Sequence, residues 1–138
     1  MKPLTQDGLR LDFQDSQLSA AHAVGADLRL ILSAAHVYGP AGCFTQAPEE
    51  TEGYLAPVAL LFRQARWQGE LALAMGRLAE GELRVDGQGL RSLPLPFAPA
   101  GPVRARLAVS NGVVLEIEAH TLECPLTGDE KFTPSLAC

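Results

Sequence analysis

Lysine is nearly missing from this chain. Of its eleven basic residues only Lys2 and Lys131 are lysines, and the nine arginines are scattered. No basic run interleaved with aromatics exists, and the net charge is −5. A phosphate backbone selects clustered cations, so nucleic acid is not an expected partner. Long apolar runs are missing as well: no stretch approaches the ~18 uncharged residues of a spanning helix, so no membrane partner is expected. The opening MKPLTQDGLRLDF meets charge and turn residues before an apolar leader core can form. The expectation is therefore a chain that starts at Met1 and stays in the cytoplasm. Cys43, Cys124 and Cys138 are an odd set without close pairing. That argues against a disulfide scaffold and for reduced thiols in the same compartment.

The recurrent catalytic patterns are also lacking. There is no Gly-rich phosphate loop ending in Lys-Ser/Thr, no Gly-x-Gly-x-x-Gly, no Gly-x-Ser-x-Gly elbow and no His-Glu-x-x-His. Triads are spatial rather than sequential, so an enzyme is not excluded. The reading leans towards a protein without catalysis and without a cofactor.

What is present is β structure. With 138 residues, 47% of them hydrophobic and 20% charged, the chain suits one domain, 1–138, with a single core. The only asparagine, Asn111, precedes Gly112 between two alternating apolar runs, the strongest local signal for a hairpin. A two-residue loop would set Arg106 opposite Ile117. A three-residue loop, Ser110 to Gly112, pairs Leu107 with Leu115, Ala105 with Ile117 and Val103 with Ala119 on one face. Arg106–Glu116 and Arg104–Glu118 then share the other. A one-residue slip moves every apolar side chain to the wrong face, so the second register is expected, with Gly112 in the left-handed position.

Other segments repeat this alternation: Leu9 to Phe13, Leu28 to Ala34, Leu71 to Met75 and Leu83 to Val85. Asp15-Ser16 reads as a break or a helix cap, and 17–24 as a strand rather than a short helix, turning at Gly25 to Asp27. The segment 57–68 carries both spacings. A strand buried on both faces suits Val58 to Phe62 better than a helix opened by Pro57. Leu93 to Phe97 alternates but contains two prolines, which confines it to an edge. Gly87-Gln88-Gly89 closes the preceding strand, 39–53 is a long loop, and 125–138 is a turn-rich tail. The expected fold is mainly β: a small antiparallel sandwich or partly open barrel of about seven or eight strands, with at most one short helix.

Candidate sites are few. His36, Cys43, His120 and Cys124 together have the donor set of a zinc centre. Their spacing matches no compact pattern, and the bland alternative is stronger: a solvated His120 beside Glu116 and Glu118, and a buried Cys124. Glu49, Glu50 and Glu52 suit a hard cation but read better as a solvated loop. Asp12 and Asp15 near His22 read as turn and surface residues. A ligand at the long loop would meet Tyr38, Tyr54 and Trp67, with Arg63 and Arg66 near the last. Two functions compete. One is a noncatalytic interaction domain that pairs with itself as a homodimer, or with another protein, through leftover apolar surface. The other is a small-molecule-binding barrel, or an enzyme of unfamiliar type, with its site near 39–53 and assisted by zinc if the four donors meet.

Overall fold

The computed structural model describes residues 10–39, 51–95, 97–99, 101–126 and 130–134. The zinc candidate Cys43, most of the 39–53 loop and Leu136 lie outside them. Two long strands form the frame: β1 (Arg10–Val24) and β2 (Asp27–Gly39), paired antiparallel around the Gly25-Ala26 turn. The expected break at Asp15-Ser16 is instead a bulge within β1. Four residues, 13–16, stand between the Asp12↔His36 and Gln17↔Ala34 pairs, opposite Ala35 alone. Asp15 takes a left-handed φ of 72°, a conformation that aspartate tolerates better than most residues. Ser16 repairs the interrupted ladder. Its buried hydroxyl donates to the Asp12 carbonyl (2.7 Å) and accepts from the His36 N–H (2.8 Å).

Each long strand then shares its free edge between partners. Along β2, Leu28 to Leu32 pairs with β4 (Val58–Arg63), and Ala35 to Gly39 pairs with β3 (Thr51–Ala56). Along β1, Arg10 to Asp12 pairs with β8 (Ser92–Pro94), and Gln17-Leu18 meets the start of β6 (Gly76–Val85). The long loop is therefore shorter than expected, since β3 begins at Thr51. The tail is not wholly turns either: β12 (Lys131–Pro134) pairs with β3, and Phe132 packs against the core. The alternation from Leu71 to Met75 belongs to no strand. Leu71–Leu73 is one 3₁₀ turn with Leu73 and Met75 exposed.

The second half of the sheet is β6, β9 (Val103–Val109), β10 (Val114–Ala119) and β5 (Arg66–Gln68), with β7 (Gln88–Leu90) on the free edge of β6. The β9–β10 hairpin has the three-residue register. Arg106 lies opposite Glu116, Gly112 has φ 98°, and Val109 N–H donates to the Val113 carbonyl at 2.8 Å. The β6–β7 turn falls at Asp86-Gly87, one residue before the expected triplet. Both residues have positive φ, 52° and 78°, the two-residue geometry whose twist matches its strands.

The two halves join at a corner. β4 bends into β5 at Gln64-Ala65, and β10 bends into β11 (Thr121–Glu123) at His120. β11 pairs with β4 while β10 pairs with β5, so both bent strands turn together. Arg63 braces the bend, reaching Asp27 at 3.2 Å and Glu123 at 3.2 and 3.3 Å.

The result is a mainly β, antiparallel sheet folded over one core and not closed into a barrel. Twelve strands are counted among the described residues, against the seven or eight expected. The excess is in pieces of three or four residues, too short for alternation to reveal. Phe13, Phe62 and the leucines of β1, β2, β4, β6 and β9 fill the core. Val58, Leu60 and Phe62 point into it while Ala59 and Leu61 are half-buried, so β4 is less enclosed than its apolar run suggested.

Candidate functional site

Alternation in the second half of the sheet sends apolar side chains inward and charges outward, and cross-strand register sorts the charges into rows. One row runs Glu82, Arg106, Glu116, Gln68 across β6, β9, β10 and β5. The next, two residues along each strand, runs Arg84, Arg104, Glu118, Arg66. All eight side chains are exposed. The face is concave. It holds two adjoining hollows of about 610 and 530 Å³, and Arg66, Arg84, Arg104 and Glu118 line both. This row is the waist of a trough that runs along the strands.

Its electrostatics are uneven. Glu118 is taken by Arg104, and Arg106 sits between Glu116 (3.6 Å) and Glu80 (3.7 Å). Among the described residues Arg66 and Arg84 make no ion pair. Arg84 also lies directly opposite Arg104, a like-charge pairing that destabilises a sheet by roughly 0.2–1 kcal/mol. Three guanidiniums thus face one carboxylate at the waist, while the neighbouring row has two carboxylates to one guanidinium. Gly89 on β7 lies opposite Arg84, and the Glu82 carboxylate rests where a Cβ of residue 89 would stand, 2.5 Å from it. A side chain there would displace Glu82.

Of the expected zinc donors, Cys43 lies outside the described residues, and His36, His120 and Cys124 do not come together. His36 lies on β2 with its Nε2 2.8 Å from Glu52 Oε2 and its Nδ1 3.3 Å from the Gln14 carbonyl oxygen. His120 is at the opposite end of the sheet, where its N–H donates to the Arg63 carbonyl beside the first residue of β2. His36 is nine residues along β2 from Asp27, a span on the order of 30 Å at ~3.3 Å per residue. Zinc ligands stand ~2 Å from their ion, so one centre cannot hold both histidines. Cys124 is wholly buried in the Phe97 bridge. Burial, and secondarily the charge of Glu130, pushes its thiol up to about 12, away from the thiolate that a metal needs. Among the described residues no group of three or more His, Cys, Asp or Glu side chains converges. Asp15 is held by Arg77, and His22 lies well along β1, opposite Arg29.

Two of the three aromatic candidates lie beside one residue, His36. Tyr54 is directly opposite His36, with ring centroids 5.6 Å apart, and Tyr38 is 6.4 Å from the same imidazole. Trp67 belongs elsewhere. It pairs with Ile117 on β10, half-buried against the core, beside the trough rather than near the tyrosines. No family model, curated protein or solved structure matches this chain. Its chemistry has to be read from its own surface. Among the described residues no helix is long and apolar enough to cross a membrane.

Sequence reading missed the waist. Arg104 and Arg106 were visible as members of ordinary cross-strand pairs, and Arg66 only as a neighbour of Trp67. Arg84 carried no signal beyond its place in an alternating segment. The row exists because β5 and β6 flank the hairpin, and that order is not written in any local pattern.

Proposed function

We propose that this protein is a noncatalytic binding domain whose recognition surface is the concave outer face of β6, β9, β10 and β5. One observation carries the reading: Arg66 and Arg84, from opposite sides of the hairpin and without ion-pair partners among the described residues, border the same hollows as Arg104. Guanidiniums left unpaired in a concavity favour an anionic group, and their planar forks give it orientation. The hollows also fall in the ~300–1,000 Å³ range of small-molecule sites.

The test is a nitrogen–proton NMR titration with three sets of small probes: carboxylates, phosphate monoesters and quaternary ammonium compounds. Saturable shifts at residues 66, 84, 104 and 106 support the reading. Shifts confined to the His36–Tyr54 region, or none, refute it.

Self-association remains a second reading, supported by Leu73 and Met75, which are 58% and 48% exposed at the 3₁₀ turn. Light scattering coupled to size-exclusion chromatography should then show a dimer that Leu73→Ser with Met75→Ser dissociates. A strict monomer across micromolar concentrations rules it out.

A further inference from the structure

We infer that the waist of the trough is a site for one phosphate monoester group on a small molecule, a conclusion that rests on the binding face proposed above. Charge is the first argument. With Glu118 engaged by Arg104, the charge left over at the waist is that of Arg66 and Arg84. A phosphate monoester carries about −1.5 to −2 at neutral pH and offers three acceptor oxygens, which matches two free guanidiniums better than a single carboxylate does. Placement is the second. Arg84 and Arg66 are separated by two intervening strands, about 14 Å for flat strands spaced ~4.8 Å apart. Both nevertheless line each hollow, so a ligand seated across the waist is bordered by both side chains. A compact oxyanion between them would also relieve the Arg84–Arg104 opposition.

The flanks supply the specificity. On one side of the waist stand Glu82 and Glu116, and on the other Asp86 lines the second hollow. A chain of phosphates or of acidic residues lying along the trough would place its next charge against Asp86, or in a row where two carboxylates outnumber the one guanidinium of Arg106. A single oxyanion at the waist meets three arginines and one carboxylate, Glu118, which Arg104 already engages. The remainder of such a ligand has a hollow of about 610 Å³ on one side and one of about 530 Å³ on the other.

Phenyl phosphate is the probe, titrated into the full chain by calorimetry and by NMR at low salt. It should bind saturably and shift residues 66, 84 and 104. Arg66→Gln and Arg84→Gln should each weaken it about tenfold, the usual worth of a charge-assisted hydrogen bond. Both positions are exposed, and far-UV circular dichroism verifies that the variants are folded. If benzoate or a quaternary ammonium compound moves the trough while phenyl phosphate does not, the inference fails and the binding face stands. If none of the three moves it, both fail. Tighter binding of a short phosphoserine peptide would overturn the small-molecule assignment. Tighter binding of a short single-stranded oligonucleotide would overturn the exclusion of polyanions. In Glu82→Gln/Glu116→Gln the oligonucleotide should gain binding at least tenfold; no gain would show that the acidic flanks do not set the selectivity.

Discussion

Ser16→Ala is the substitution that most directly tests how the long hairpin tolerates its bulge. Ser16 is fully buried, and its hydroxyl bridges two main-chain groups at the edge of the bulge, the Asp12 carbonyl and the His36 N–H. Alanine fits the space but removes the hydroxyl from both the Asp12 carbonyl and the His36 N–H. A buried main-chain group left unmatched costs roughly 1–3 kcal/mol. Two of them, partly relaxed, give an expected loss of about 2–4 kcal/mol. That is a large share of the ~5–15 kcal/mol that stabilises a domain, and it lowers Tm by on the order of 10 °C. Ser19→Ala is the internal control, because that hydroxyl is exposed and meets the Ile31 carbonyl at 3.2 Å. Its effect should stay within about 0.5 kcal/mol. Urea unfolding followed by far-UV circular dichroism measures both, with unchanged m values expected. If Ser16→Ala unfolds within ~0.5 kcal/mol of the parent at equal m, the hydroxyl is not a structural member of the ladder and the account of the bulge is wrong.

Gly81→Ala should destabilise by about 1–3 kcal/mol through overpacking, because a Cβ would sit 2.6 Å from Phe13 Cβ and 2.9 Å from Leu107 Cδ2. Leu107→Ala removes that Cδ2, so in the same chain it should recover part of that loss in a double-mutant cycle, and strict additivity would sink the clash explanation. Asn111→Ala removes bonds to the Leu73 carbonyl (2.9 Å) and from the Val113 N–H (3.0 Å). A loss of roughly 1–2 kcal/mol is expected, with faster hydrogen exchange at Val113; unchanged exchange contradicts it. Cys124 should resist iodoacetamide in the folded protein and react after unfolding. Burial raises its thiol from 9.0 to about 12, so the folded state keeps a proton that the unfolded chain loses first. Its contribution to stability is therefore complete below pH ~9 and declines from there towards about 12, by at most ~1.4 kcal/mol per pH unit. Cys124→Ala should flatten the alkaline decline in Tm, and an identical decline would assign it to other groups.

Legibility in this chain followed the range of the interaction that decides each feature. The β9–β10 hairpin could be placed residue by residue, since a short loop and two apolar faces leave a single register once a slip is costed. The Leu93–Phe97 segment could be placed at an edge for an equally local reason: prolines cannot donate, and among the described residues β8 pairs only with β1. Leu71 to Met75 misled because alternation over five residues is satisfied equally by a turn that half-buries Leu71 and leaves Leu73 and Met75 exposed. Asp15-Ser16 carries turn chemistry, and the structure uses that chemistry, but inside a strand. A side-chain hydroxyl that replaces a main-chain partner can end a ladder or mend it, and the choice depends on β2, which lies beyond the reach of any local pattern. The tail strand was hidden for a similar reason, since four residues pair only because β3 offers them an edge.

The outer charges show the same limit where it bears on function. From the hairpin alone, Arg104 with Glu118 and Arg106 with Glu116 amount to two balanced surface pairs, each worth little. Balance is a property of the pairs and not of the face. β6 brings Arg84 beside Arg104, and β5 brings Arg66 beside Glu118, so one row gains two positive charges. The other row gains Glu82 and a neutral glutamine. Neither addition is near the hairpin in sequence: Arg66 precedes Arg104 by 38 positions and Arg84 precedes it by 20. A sheet assembles its surface from residues that its strands do not foresee, and a binding face made this way leaves no motif. The rows make the matter testable with charge alone. Exchanging Arg84 and Glu82 by the double substitution Arg84→Glu/Glu82→Arg preserves composition, net charge and both exposed positions, yet moves the excess from one row to the other. If the waist binds an anion through its local excess, that variant should lose binding while keeping its Tm within about 1 °C per few tenths of a kcal/mol of surface effect. Retained binding would mean that the net charge of the face, and not its arrangement in rows, is what attracts the ligand.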